Sequence, residues 1–146
     1  MKLNVRRTFT TAASPEAVFA YLADFRNAEE WDPGTVSCEL VSGEVGPGAA
    51  YRNVSTFLGR TTELTYVTLR HEPSSELHFQ GRNESFVGDD RLRFTPVDGG
   101  TSVEYRATFD LRGAAALALP VVAAYLPVLA RRTIDQLHDR LDRLPA

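Results

Sequence analysis

Between residues 3 and 11 apolar side chains recur at every second position. Leu3, Val5 and Phe9 share one side, interrupted by Arg7, and this alternation predicts a first strand over Leu3–Thr11. The period then changes. Ser14-Pro15-Glu16-Ala17 supplies an N-cap hydroxyl, a proline at the first helical position and an acidic first turn, so a helix is expected from Pro15. Val18, Phe19, Leu22 and Phe25 follow at spacings of three and four, which turns one face inward. A short second helix is expected around Ala28–Trp31, ended by the turn chemistry of Asp32-Pro33-Gly34.

From Thr35 almost to residue 112 the period is two. Turn signals at Ser42-Gly43, Gly46-Pro47-Gly48, Glu72-Pro73-Ser74, Gly88-Asp89 and Asp98-Gly99-Gly100 divide this stretch into a meander of six antiparallel strands. They are predicted at Val36–Glu44, Ala49–Leu58, Arg60–His71, Glu76–Asn83, Asp89–Thr95 and Thr101–Leu111. The connections are too short for parallel crossovers. After Gly113 the period is helical again, and one long helix is expected over Ala114–Leu144, bent or divided by Pro120 and Pro127.

Composition narrows the function classes. A chain of 146 residues, 43% hydrophobic and 24% charged, is expected to form one domain over residues 1–146 with an ordinary core. Its formal net charge of −3 argues against nucleic acid as a partner. One cysteine, Cys38, excludes a disulfide framework, and the absence of an N-terminal apolar run adds to the expectation of a cytoplasmic protein. Ala114–Ala130 carries no charge, but its alanines and two prolines favour a buried helix over stable membrane insertion.

The order of strand, two short helices, six strands and long terminal helix resembles the polyketide cyclase/dehydrase branch of the START/Bet v 1-like (SRPBCC) superfamily. The resemblance spans the chain and rests on Ser14-Pro15-Glu16-Ala17-Val18-Phe19, Trp31-Asp32-Pro33-Gly34, Glu72-Pro73 and Asp98-Gly99-Gly100-Thr101. It implies an α+β helix-grip fold, a curved seven-stranded antiparallel sheet wrapped around the C-terminal helix with an apolar cavity between them. Lipids, sterols, quinones or polyketides fill that cavity in different members.

Alternation identifies the residues that would line such a cavity. Val103, Tyr105, Ala107 and Phe109 share a face of the last strand, as do Leu77 and Phe79, and Leu92 and Phe94, in theirs. Tyr51, Asn53, Ser55 and Phe57 share another face, which would set polar groups in an apolar wall. In the fourth strand two faces compete, Glu63, Thr65, Val67 and Leu69 against Leu64, Tyr66 and Thr68, and an inward Glu63 would need Arg52 or Arg82 as partner. The expected ligand-binding set is Trp31, Tyr51, Asn53, Ser55, Phe57, Val67, Phe79, Phe94, Tyr105 and Phe109.

Catalytic signatures are thin. His71, His78 and His138 lack metal-ligand spacing, no nucleophile elbow or phosphate loop occurs, and Cys38 lies with Val36 and Leu40 on the apolar side of its strand. No metal or cofactor is expected. Two functions remain, binding or transport of a hydrophobic small molecule by a monomer or homodimer, and cyclase-type aldol closure or dehydration in the same cavity. For chemistry Tyr51, Tyr66, Tyr105 and inward arginines are the candidates. The apolar first half of the last helix could also meet a protein partner.

Overall fold

Lys2–Thr11 form β1, after which Ser14 caps the helix α1 (Pro15–Ala23) by accepting a hydrogen bond from the Ala17 amide at 3.2 Å. The computed structural model describes residues 2–145. A 3-10 turn over Phe25–Asn27 leads into α2 (Ala28–Trp31), so the predicted pair of helices is present, with Phe25 moved out of the first helix into the turn. Asp24 makes that turn by accepting from the Arg26 amide at 3.1 Å.

Six further strands follow, β2 (Thr35–Ser42), β3 (Ala50–Phe57), β4 (Arg60–Glu72), β5 (Glu76–Arg82), β6 (Phe86–Val97) and β7 (Gly100–Leu111). They form one antiparallel seven-stranded sheet in the order β1-β7-β6-β5-β4-β3-β2. Only β1 is displaced from chain order, because the helices carry the chain from one edge strand to the other. The concave face carries Val103 and Tyr105 of β7, Leu92 and Phe94 of β6, Leu77 and Phe79 of β5, Leu64 and Tyr66 of β4 and Tyr51 of β3, all buried. Burying each such side chain contributes roughly 1.5–3 kcal/mol.

The competing faces of β4 are thereby resolved. Tyr66 pairs in register with Tyr51 and Gly81 on the concave side, and Thr68 with Phe79. Val67 pairs with Ala50 and Gln80 on the opposite face, half-buried, so its expected place in the lining is corrected by strand parity. Glu63 also points outward, in an exposed ion pair with Arg52. A register shift between Thr35 and Ser37 turns Val36 to solvent, whereas Cys38 stays buried.

The terminal helix differs from the prediction in its first half. Gly113–Ala118 is a 3-10 turn and α3 runs from Leu119 to Asp142. Pro120 falls in the first turn of α3, where its missing amide costs nothing, and Pro127 lies inside the helix. The expectation of a buried helix over Ala114–Ala130 is corrected. Only Val122, Leu126 and Ala130 of that stretch are buried, because one face alone meets the fold. The second half is anchored by Leu137 and Leu141, and by the Thr11 hydroxyl donating to Asp142 at 2.7 Å.

Candidate functional site

The elements around the concave face converge on an aromatic cluster. Phe25 enters from the 3-10 turn, with its ring centroid 4.5 Å from Tyr66, 4.6 Å from Phe79 and 5.8 Å from Tyr51. Trp31 of α2 lies edge-on to both Phe25 and Tyr105, at 6.2 and 6.3 Å. Tyr66 lies flat across Gly81, where any Cβ would collide with its ring, so the glycine is required by this close approach. Phe94 meets Phe19 of α1 at 6.2 Å.

Polar groups are set into this apolar wall. Asp90 shares the concave face of β6 with Leu92 and Phe94, and its carboxylate accepts from the Tyr105 hydroxyl at 2.9 Å. Trp31 Nε1 and Thr68 Oγ1 are buried with no hydrogen-bond partner among the described residues. The Tyr51 hydroxyl is buried against the Phe25 backbone without reaching hydrogen-bond geometry. A buried polar group left unpaired costs roughly 1–3 kcal/mol, so an interior that holds several carries that cost or offers the groups to a ligand.

Burial and the nearby charge of Asp32 push the Asp90 carboxyl up to about 7. Asp32 itself is raised by burial, although it accepts from the Thr35 hydroxyl at 2.9 Å and the Gly34 amide at 3.2 Å. Tyr66 and Tyr105 are raised well above the ordinary phenol range by burial and by Asp90, so both stay neutral. The Cys38 thiol is pushed up to about 12 by burial, which makes it an inert core residue.

Of the expected ligand-binding residues, the fold brings Trp31, Tyr51, Phe79, Phe94 and Tyr105 together in the buried cluster. Asn53 and Ser55 face the same way, but the Asn53 side chain donates to Thr35 at 3.2 Å and accepts from Ser55, so both hold the β2–β3 edge. Phe57 and Phe109 are half-buried nearer the sheet end, where Phe57 meets Tyr125 of α3 at 5.5 Å and Phe109 meets Phe86 at 5.8 Å. The open cavity expected between these aromatic residues is occupied by side chains, with the Phe25 ring at its centre and 1% exposed. A cleft of about 370 Å³ lies elsewhere, between Thr11, Val97, His138 and Asp142.

Asp90 and Phe25 are the members that sequence reasoning leaves out of the site, and Tyr66 enters there only as a candidate for chemistry, not among the lining residues. Parity with Leu92 and Phe94 was the available signal for Asp90. Two of the histidines stay outside the cluster's polar set, whereas His71, opposite Leu77 in the register, adds a buried Nδ1 with no hydrogen-bond partner among the described residues. His78 pairs with Asp89 at 2.7 Å on the outer face, His71 lies edge-on to Phe19 at 4.9 Å, and His138 pairs with Asp142 at 3.3 Å. Among the described residues no three histidine, cysteine or acidic side chains come together as a metal would require.

The sequence family described as polyketide cyclase / dehydrase and lipid transport matches residues 2–144, and the chain belongs to it. No curated protein matches the chain in sequence. Among solved structures it is similar to the Zhui aromatase/cyclase from Streptomyces sp. R1128, at TM-score 0.81 and 17% identity over 98% of this chain and 95% of that one. It is also similar to a START superfamily protein from Mycobacterium smegmatis, at TM-score 0.73 and 14% identity over 94% and 98%. The di-domain ARO/CYC BexL from the BE-7585A biosynthetic pathway gives TM-score 0.71 and 18% identity over 99% of this chain and 51% of that one. Identities this low establish the helix-grip fold alone.

Proposed function

Taking membership of that family as the premise, we propose that the chain binds a ring-bearing hydrophobic small molecule on the concave face, with Phe25 giving way to it. The observation that carries this reading is the aromatic wall with inward polar groups that the fold leaves unpaired, Trp31 Nε1 and Thr68 Oγ1, beside the Asp90 carboxyl. Apolar surface supplies affinity and the few polar groups supply orientation. Phe25 sits on a three-residue 3-10 turn rather than a long element, so it is the ring that moves at least expense. The ligand reaches the interior under the first half of α3, whose burial is limited to one face. The protein acts in the cytoplasm as a single-domain monomer or homodimer, without metal or cofactor.

Trp31 reports on the site because it is the only tryptophan. A hydroxyanthraquinone, which absorbs where tryptophan emits, should quench Trp31 saturably at one equivalent. Asp90→Ala together with Tyr105→Phe should weaken that binding about tenfold or more. Linear, non-saturating quenching in a folded protein would remove the reading.

A second reading is favoured by one observation, the carboxyl of Asp90 held near neutrality beside Tyr105. Such a group can take a proton from a methylene flanked by carbonyls, and the resulting carbon nucleophile closes on a second carbonyl carbon within the same chain. Returning that proton to the new alkoxide completes an aldol with no net proton change, and Tyr105 polarises the accepting carbonyl. Asp90→Asn should then abolish turnover of a poly-β-ketone thioester while retaining hydroxyanthraquinone binding within a few fold.

A further inference from the structure

Between residues 111 and 134 the chain carries Arg112, Arg131 and Arg132 and no acid, in a protein whose formal net charge is −3. The uncharged stretch between these arginines presents apolar side chains to solvent. Leu117 is 85% exposed and Val121 58%, and Ala124 and Val128 continue the stripe at helical spacing. The opposite side of the same helix, through Val122, Leu126 and Ala130, is already committed to the fold.

A second apolar group stands beside this stripe for no reason that folding supplies. Leu58 and Gly59 close the β3–β4 hairpin with φ of 50° and 80°, a left-handed turn that favours glycine or asparagine and makes a leucine strained. Leu58 is nevertheless there, and 48% exposed. The contact of Phe57 with Tyr125 holds this tip against α3, and Arg132 donates to the Tyr125 hydroxyl at 3.0 Å, so its guanidinium borders the same patch. Arg60 pairs with Phe57 in register and is exposed. The nearby acids Glu63 and Asp110 are paired with Arg52 and Arg112, while Asp135, exposed one turn beyond Arg131 and Arg132, and Glu84 in the adjoining β5–β6 turn lower the local positive charge of Arg60, Arg131 and Arg132 without reversing it.

We propose that this face docks on a lipid surface bearing anionic headgroups, with Leu58, Leu117 and Val121 entering the headgroup–acyl boundary. Arg60, Arg131 and Arg132 meet the phosphates. Exposed apolar side chains ringed by arginine suit an interface between water and lipid, where apolar burial and attraction to anionic headgroups add. The stretch Gly113–Asp142 is long and apolar enough by length and composition to cross a membrane, but its inner face is packed on the sheet and its last turns are charged. It therefore lies in the interface rather than across it.

Sedimentation with vesicles tests this. The chain should co-sediment with phosphatidylcholine–phosphatidylglycerol vesicles, several-fold less with phosphatidylcholine alone, and be released by high salt. Leu117→Ser with Val121→Ser should weaken binding at least about tenfold with an unchanged circular dichroism spectrum. Leu58→Gly is the sharper variant, because it relieves the turn and should raise the melting temperature while weakening vesicle binding. The proposal is overturned by absence of binding to mixed vesicles, by equal binding to both vesicle types, or by variants that sediment like the parent. A concentration-dependent dimer that Leu117→Ser with Val121→Ser dissolves would reassign the face to a second copy. None of these outcomes depends on whether the interior takes a ligand.

Discussion

Asp90 holds its proton up to about pH 7 in the folded protein, whereas an unfolded aspartate releases it near pH 4. Between those values the folded state binds the extra proton, so the contribution of Asp90 to stability falls as pH rises from about 4 to about 7 and is constant above. Asp90 is half-buried, so the loss attributable to it is roughly 2–4 kcal/mol. Urea titrations across this range should show the decline, and Asp90→Asn should remove most of it; equal slopes in both proteins would contradict the assignment. Cys38, buried and held up to about 12, should stay unmodified by a thiol reagent until the chain unfolds. Gly81→Ala should cost several kcal/mol by displacing Tyr66, read from the urea midpoint. At this scale parity was a sound guide for Tyr105, Phe79 and Phe94, because their alternation is unbroken. It leaves β4 open because both faces there mix polar with apolar residues, and the choice depends on Tyr66 meeting Gly81 across the sheet.

At the scale of elements, turn and cap chemistry located nearly every boundary. Ser14 with Pro15 started α1, and Asp32-Pro33-Gly34 separated α2 from β2, as expected. The strand β6 begins earlier than predicted, at Phe86, because Gly88-Asp89 reads as a turn but pairs with Phe109 and Thr108 inside the sheet. Gly88 is there for a local reason, since the Phe86 ring lies over its Cα and leaves no room for a side chain. The two prolines of the terminal segment also differ in effect. Pro120 begins α3, and only Pro127 deletes an interior hydrogen bond, which weakens the helix where it covers the concave face. Pro127→Ala should raise helix stability by about 1–3 kcal/mol and slow ligand exchange more than it changes affinity. In hydrogen exchange, amides of residues 121–128 should open faster than those of β7. Equal protection, with unchanged association and release rates in the variant, would contradict ligand entry under the first half of α3.

For the molecule as a whole, the order of elements made the helix-grip arrangement legible, since a seven-stranded antiparallel sheet with β1 beside β7 leaves one concave face for the terminal helix. How far that concavity is filled was not legible. It depends on Phe25 leaving the helix at Asp24 and turning inward, a packing choice made between residues distant in sequence, Tyr66 and Phe79 among them. The same distance hid the meeting of Asp90 with Tyr105 and the unpaired Trp31 Nε1. Ligand binding on the concave face requires the interior to yield at Phe25. Isotope-edited nuclear Overhauser spectra of the chain with one equivalent of hydroxyanthraquinone measure this directly. The predicted result is a set of cross-peaks from the bound rings to Tyr66, Phe79 and Tyr105, together with disappearance of the cross-peak between Phe25 and Tyr66. Cross-peaks confined to Leu58, Leu117 and Val121, with Phe25 still against Tyr66, would contradict it.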